Sequence, residues 1–438
     1  MNLLPNIWNL LGGCQVQNNQ PTFPQRFSMN SFFYKSSATP GTNVRRLMAF
    51  LLATSLAGMG NVGHTAKPST GGSSGGQLPY TYSVTGDPNF LVTAKRIGSA
   101  PLVLMGGGPD VDPAFRWMIQ QAGISKGTGG RFVIIRATGT DAYNPYIYYS
   151  GPKNSTSSTI QDLWVGGASL GLTSVETLVL PTREAANNQV ANDIVARADA
   201  VFIAGGDQAD YIRNWKSTTL EGTLGSLMDK NVPIGGTSAG LAVLGMVDFA
   251  ALNGTVTSPQ ALGNPYNTYM TFDPNPLRTT GGFLTPPALA NTITDSHFDS
   301  RDRLGRLIAF TSRLVIPGTA NTGCDGGIVP AGETAGTARG IGIGVEAALL
   351  VERNGSGEYV GTRMTNVSTT SESAIYFTRP VQAPGTCKSG VPLTVRGVKV
   401  DKLKSGTFNL STWTGLTGAV TVTIPVNVES GSMAPYQY

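Results

Sequence analysis

The sequence predicts an α/β domain, a parallel sheet flanked by helices, with a β-rich C-terminal extension. Three observations predict it. Short apolar runs recur between residues 101 and 234, each closed by glycine or polar residues. Segments of helical character separate them, such as Glu184 to Arg197 and Asp210 to Trp215. Beyond Glu358 the helical character disappears, and Val391 to Leu403 and Val420 to Val428 read as strands.

The chain has 438 residues, room for one large domain or two to three ordinary ones. Its first 57 residues read as an export leader. Arg45-Arg46 precede an apolar stretch from Leu47 to Ala57, and Ser55-Leu56-Ala57 has the small residues of a cleavage site. The stretch is too short for a stable membrane span; a buried core helix is the alternative. The residues before Arg45 are long for the start of a signal, so Met29 is a second candidate start. Arg26, Lys35, Arg45 and Arg46 lie here with no acid beside them, so the overall charge of +5 falls to +1 without them. A nearly neutral remainder gives no electrostatic reason to expect nucleic-acid binding.

Residues 58–98 are expected as a Gly/Ser-rich linker and lead-in, 99–357 as the α/β domain, and 358–438 as the β-rich extension. The strands are Pro101 to Met105, ending in Gly106-Gly107-Gly108; Phe132 to Ala137; Val175 to Leu180; Ala200 to Ala204, ending in Gly205-Gly206-Asp207-Gln208; and Val232 to Ile234. Loops at the carboxyl ends of such strands form the natural ligand crevice. Val247 to Pro287 is irregular and is expected to wall the substrate cleft. Helical character returns at Asp299 to Ser312.

The last strand runs into Gly236-Thr237-Ser238-Ala239-Gly240, and a strand–turn–helix elbow there would present the Ser238 hydroxyl over a helix N-terminus. A serine needs a base to take its proton. The chain has only two histidines. His64 lies in the Gly/Ser-rich lead-in, which leaves His297 as the partner of Ser238. The N–H groups of Ala239 and Gly206 are the expected oxyanion donors. Arg301, Arg303 and Arg306 follow His297; each either pairs with a nearby carboxylate or grips a substrate carboxylate. Cys14 would leave with the leader, so Cys324 and Cys387 remain as an even pair. In an oxidising compartment they are expected as a disulfide, with two buried thiols as the alternative. No metal cluster is visible and no cofactor is implied.

Gly205-Gly206-Asp207-Gln208, Gly235-Gly236-Thr237-Ser238-Ala239-Gly240 and Asp295-x-His297-Phe298-x-x-Arg301-x-Arg303-x-Gly305-Arg306 together resemble the cyanophycinases. These are serine peptidases related to aspartyl dipeptidase, with a flavodoxin-like fold similar to class I glutamine amidotransferases. The resemblance runs from about Ser99 to Val351, and Arg396 to Leu410 resembles the C-terminal segment of exported members. It implies a secreted enzyme, extracellular or periplasmic, that hydrolyses cyanophycin or a related aspartyl peptide. It implies roles for Asp207, Gln208, Asp295, Ser296, Arg301, Arg303 and Arg306 in binding substrate. Relatives of this scaffold often pair, so a homodimer is one expectation.

The sequence departs from the family twice. Ser296 stands where the family has Gln. In Gly342-Ile343-Gly344-Val345-Glu346-Ala347 only one carboxylate remains of the family's Asp-Glu pair. Glu346 is the expected triad acid, with Asp248 as fallback. An aspartyl dipeptidase-like enzyme and a catalytically decayed binding protein on the same scaffold are the competing readings. An α/β-hydrolase esterase is disfavoured, because no histidine follows His297.

Overall fold

The computed structural model describes residues 78–151, 164–275, 277, 281–317, 323–369 and 372–435. The expected leader, most of the linker, His64 and Cys14 lie outside the described residues. In chain order the strands begin with β1 (Thr81–Gly86), β2 (Leu102–Met105), β3 (Arg131–Arg136), β4 (Ser174–Val179), β5 (Ala200–Ile203) and β6 (Ile234–Thr237). They continue with β7 (Asp248–Phe249), β8 (Phe272–Asp273), β9 (Thr292–Asp295), β10 (Arg339–Ile343), β11 (Ala347–Arg353) and β12 (Tyr359–Thr365). β13 (Ile375–Pro380), β14 (Val395–Ser405), β15 (Thr407–Asn409), β16 (Thr414–Gly415), β17 (Val420–Glu429) and β18 (Ser432–Ala434) complete them.

The main sheet has the order β1-β4-β3-β5-β6-β2-β11-β12-β15-β16. Its centre, β4-β3-β5-β6-β2, is parallel, as the apolar runs predicted. β2, β5 and the interior of β3 are apolar because both faces are covered, whereas β4 also buries Ser174, Glu176 and Thr177. Leu102, Leu104, Val133, Ile135, Val201 and Ile203 pack under helices between Arg183 and Asp229. The alternate residues Val103, Met105, Phe132, Ile134 and Phe202 pack under the helix Asp112–Gln121 on the other face.

A second sheet, β18-β17-β14-β13-β10-β9, covers its own core with the helix Leu304–Leu314. The β-rich C-terminal region is divided between both sheets: β12, β15 and β16 extend the first, and β13, β14, β17 and β18 build the second. The lead-in also contributes, since β1 pairs antiparallel with β4 at the sheet edge. Cys324 and Cys387 form a disulfide beside the second core.

Two helical expectations change. Glu184 to Arg197 is two helices, Arg183–Asn187 and Gln189–Ala196, because Asn188 is extended and its side chain caps the second. The helix expected from Asp299 starts at Leu304: His297 and Asp302 have positive φ, and the intervening chain is turns. The segment 247–287 carries the β7–β8 pair and a capped helix, Ser258–Gly263, and buries Val247, Phe249, Val256, Leu262 and Phe272 in the second core.

Candidate active site

The carboxyl end of β6 supplies Ser238 and that of β9 supplies His297, so the two sheets meet at this pair. Ser238 has φ 54° and ψ −113° and opens the short helix Ala239–Ala242. Its flanking glycines are required by close approach. A Cβ on Gly236 would lie 2.3 Å from the Gly240 carbonyl oxygen, and one on Gly240 would lie 2.0 Å from that of Ile203. Ser238 is half-buried at this elbow.

Ser238 Oγ lies 2.8 Å from His297 Nε2. The ring packs on the backbone of Gly107, where a Cβ would sit 2.5 Å from Nε2. Burial, then the charges of Arg301 and Arg303, push the imidazole down to about 4, against a smaller opposing pull from Asp295. At neutral pH the ring is therefore uncharged, the form a general base needs.

One tripeptide aligns the three residues expected to form the triad. The carbonyls of Met105, Gly106 and Gly107 accept, in turn, the N–H of Ser238 (3.2 Å), His297 (2.7 Å) and Glu346 (3.0 Å). All three have positive φ, at 54°, 45° and 59°. Non-glycine residues seldom adopt this region, and such strain collects at functional sites.

The side chain of Glu346 does not complete a triad. Among the described residues no carboxylate bonds to His297, and the half-buried Glu346 carboxylate has no hydrogen-bond or ion-pair partner. The physical reason is its backbone: Glu346 sits in the turn that leaves β10 of one sheet for β11 of the other, off the strand register of either. Asp248 is no substitute. It is fully buried, accepts the Gly245 N–H at 3.0 Å, and burial and the neighbouring Asp273 hold its pKa well above the carboxylate range.

The arginine cluster divides. Arg306 grips Asp295 with two bonds, Nε to Oδ2 at 2.7 Å and Nη2 to Oδ1 at 2.5 Å, and Arg303 Nη1 reaches the same carboxylate at 3.2 Å. Arg303, Arg306 and Asp295 are all buried, so the expected substrate contacts of these three are replaced by an internal ion network. Ser296 is buried with them, its carbonyl accepting from Arg303 at 2.7 Å. Arg301 differs: it is exposed and, among the described residues, enters no ion pair. Asp207 caps the helix Gln208–Trp215 through Ala209 N–H at 2.9 Å, and the Gln208 amide lies 3.5 Å from the Phe249 carbonyl.

Ala239 is the first residue of its helix, so its N–H has no intrahelical acceptor. The loop bearing Gly206 is adjacent: a Cβ on Gly205 would lie 3.4 Å from Ser238 Cβ. Gly107 was not singled out from the sequence. Its signal was the triple glycine at the end of β2, which reads equally well as a tight turn.

Residues 166–257 match the model of Peptidase family S51. The match spans the Gly205 loop and the Ser238 elbow, stops short of His297, and supports a peptidase. No curated protein matches the chain. Among solved structures, a peptidase from an acI-B1 Actinobacterium is 15% identical, with 75% of this chain and 97% of that one covered, at a TM-score of 0.34. A putative peptidase E protein from Listeria monocytogenes EGD-e is 12% identical, with 60% and 98% covered, also at 0.34.

Proposed function

We propose that the chain is an exported serine peptidase that hydrolyses cyanophycin, multi-L-arginyl-poly-L-aspartate, to β-Asp-Arg dipeptides. The observation that carries the hydrolytic part is the Ser238–His297 contact at a strained elbow. Neutral His297 accepts the Ser238 proton as Oγ attacks the backbone carbonyl, and returns it to the leaving amine. The N–H groups of Ala239 and Gly206 receive the oxyanion, and water then releases the acyl group from Ser238. Arg301 is the guanidinium left to take a substrate carboxylate. The substrate assignment rests on the resemblance of the three motifs to cyanophycinases.

The unaccompanied imidazole favours a second reading, a decayed peptidase scaffold that binds without cutting, because an unoriented base loses much of its effect. Hydrolysis of insoluble cyanophycin beside a Ser238→Ala control, with products identified by mass, separates the two. Release of β-Asp-Arg by the native protein, with a loss of at least about 10⁴-fold in the variant, is the expected result. No release, together with no labelling of Ser238 by a serine-directed phosphonate, selects the binding protein.

A further inference from the structure

At the start of β10, the end remote from Glu346, the second sheet carries a row of cations. Gly340 of β10 pairs with Thr378 of β13, so Arg339 and Arg379 stand at the next step of that ladder, and Arg379 in turn pairs with Lys399 of β14. Like charges opposite one another across strands are destabilising. Two carboxylates lie beside these three cations. Glu333 meets Lys399 at 2.6 Å, and Asp401, two residues along β14, accepts from the Thr423 hydroxyl. Among the described residues Arg339 and Arg379 enter no ion pair. One positive charge is left over.

The row borders a cavity of about 350 Å³ between the second sheet and the β15–β16 strands of the first, lined by Arg379, Lys399, Asp401, Trp413, Leu416 and Thr421. Its walls hold more donors than acceptors. Arg379 is buried; its Nη1 donates to the Glu333 carbonyl at 3.0 Å, but among the described residues Nε and Nη2 find no acceptor. The indole N–H of Trp413, a residue only 1% exposed, is also without an acceptor, and so is the Thr421 hydroxyl. Behind the indole, the Arg339 guanidinium lies 4.5 Å from the ring centroid and turns to the Leu410 carbonyl at 2.7 Å, its own Nε unanswered. Buried donors are rarely left unpaired, and several at one cavity call for an acceptor from outside the chain. An open Nε–Nη2 edge is the fork that holds a carboxylate by two parallel bonds. A surplus of one charge matches a monoanion, and Asp401 on the wall disfavours a dianion. The Trp413 ring and Leu416 suit an organic group attached to that anion.

We infer that this cavity is a carboxylate-binding site, separate from Ser238, in which the Nε–Nη2 edge of Arg379 holds both oxygens of a small organic acid or of a peptide carboxylate. It does not depend on the peptidase reading.

Calorimetry on the full chain with N-acetylglycine and its neutral counterpart N-acetylglycinamide reads the site directly. The acid should bind about tenfold or more tightly, and Arg379→Gln should remove that preference while serine-directed labelling stays as in the native protein. Acetate separates the sources: binding as tight as that of N-acetylglycine assigns a free small acid, and weaker binding assigns a peptide carboxylate. Inorganic phosphate bound more tightly than either overturns the carboxylate assignment. Equal binding of acid and amide, no binding of either, or a preference that survives in folded Arg379→Gln, overturns the site itself. Should Arg379→Gln not fold, Lys399→Gln decides, since its side chain is 35% exposed and an undiminished preference there also overturns the site. None of these results bears on whether Ser238 is a nucleophile, which the labelling experiment reads separately.

Discussion

His297 is governed by its neighbours more than by any single bond. Burial and the adjacent arginines disfavour its protonated form and hold it near 4, below its ordinary value of 6.5. The acid limb of kcat/KM should therefore lie near pH 4. Exposed Arg301 is the largest charge contribution, so Arg301→Gln should move that limb upward while raising KM for a carboxylate-bearing substrate. A limb that stays in place would mean that burial alone sets it. The sign for stability follows. A histidine with a lowered folded pKa binds fewer protons folded than unfolded, so its contribution is complete above about 6.5 and is lost as pH falls toward 4. Ser238 was readable in the sequence because an elbow needs small residues on both sides. The isolation of the Glu346 carboxylate was not, because a three-residue connection between two sheets, Gly344 to Glu346, leaves no trace in composition.

Among the elements, the loop from β9 to the helix Leu304–Leu314 depends on a buried ion network. Asp295 stands at the end of β9, and its partners Arg303 and Arg306 come from beyond the turns that carry His297. Asp295→Asn leaves two guanidiniums buried without a counter-charge, which should cost about 3–5 kcal/mol by denaturant unfolding. Replacing the network with apolar residues of similar volume should cost much less. The central strands were legible because burial on both faces makes β2, β3 and β5 nearly continuous apolar runs, each closed by glycine or polar residues. The partition of the C-terminal strands was not, because β-pairing is a long-range choice: β12 and β13 are neighbours in sequence and belong to different sheets. The fate of the arginines was half legible. A nearby carboxylate was one expected partner, but only the folded register puts Asp295 within reach of Arg306.

In the whole molecule, the Cys324–Cys387 disulfide closes a segment 63 residues apart in sequence that contains β10 through β13. It thus constrains strands of both sheets. Replacing both cysteines with serine should lower stability by about 2–4 kcal/mol, read as the shift of the unfolding midpoint at constant m-value. Wild-type protein treated with reductant should show the same shift. Between the sheets, the carbonyls of Met105, Gly106 and Gly107 hold the backbones of Ser238, His297 and Glu346 in succession. The spacing of nucleophile and base is thus gauged against a single short ruler, whose three marks are peptide units of one strand end. Residues far away can drift in identity without altering that measure. Lengthening the ruler by one residue would misplace every mark beyond the insertion at once, and no compensating change in Ser238 or His297 alone would restore the gap.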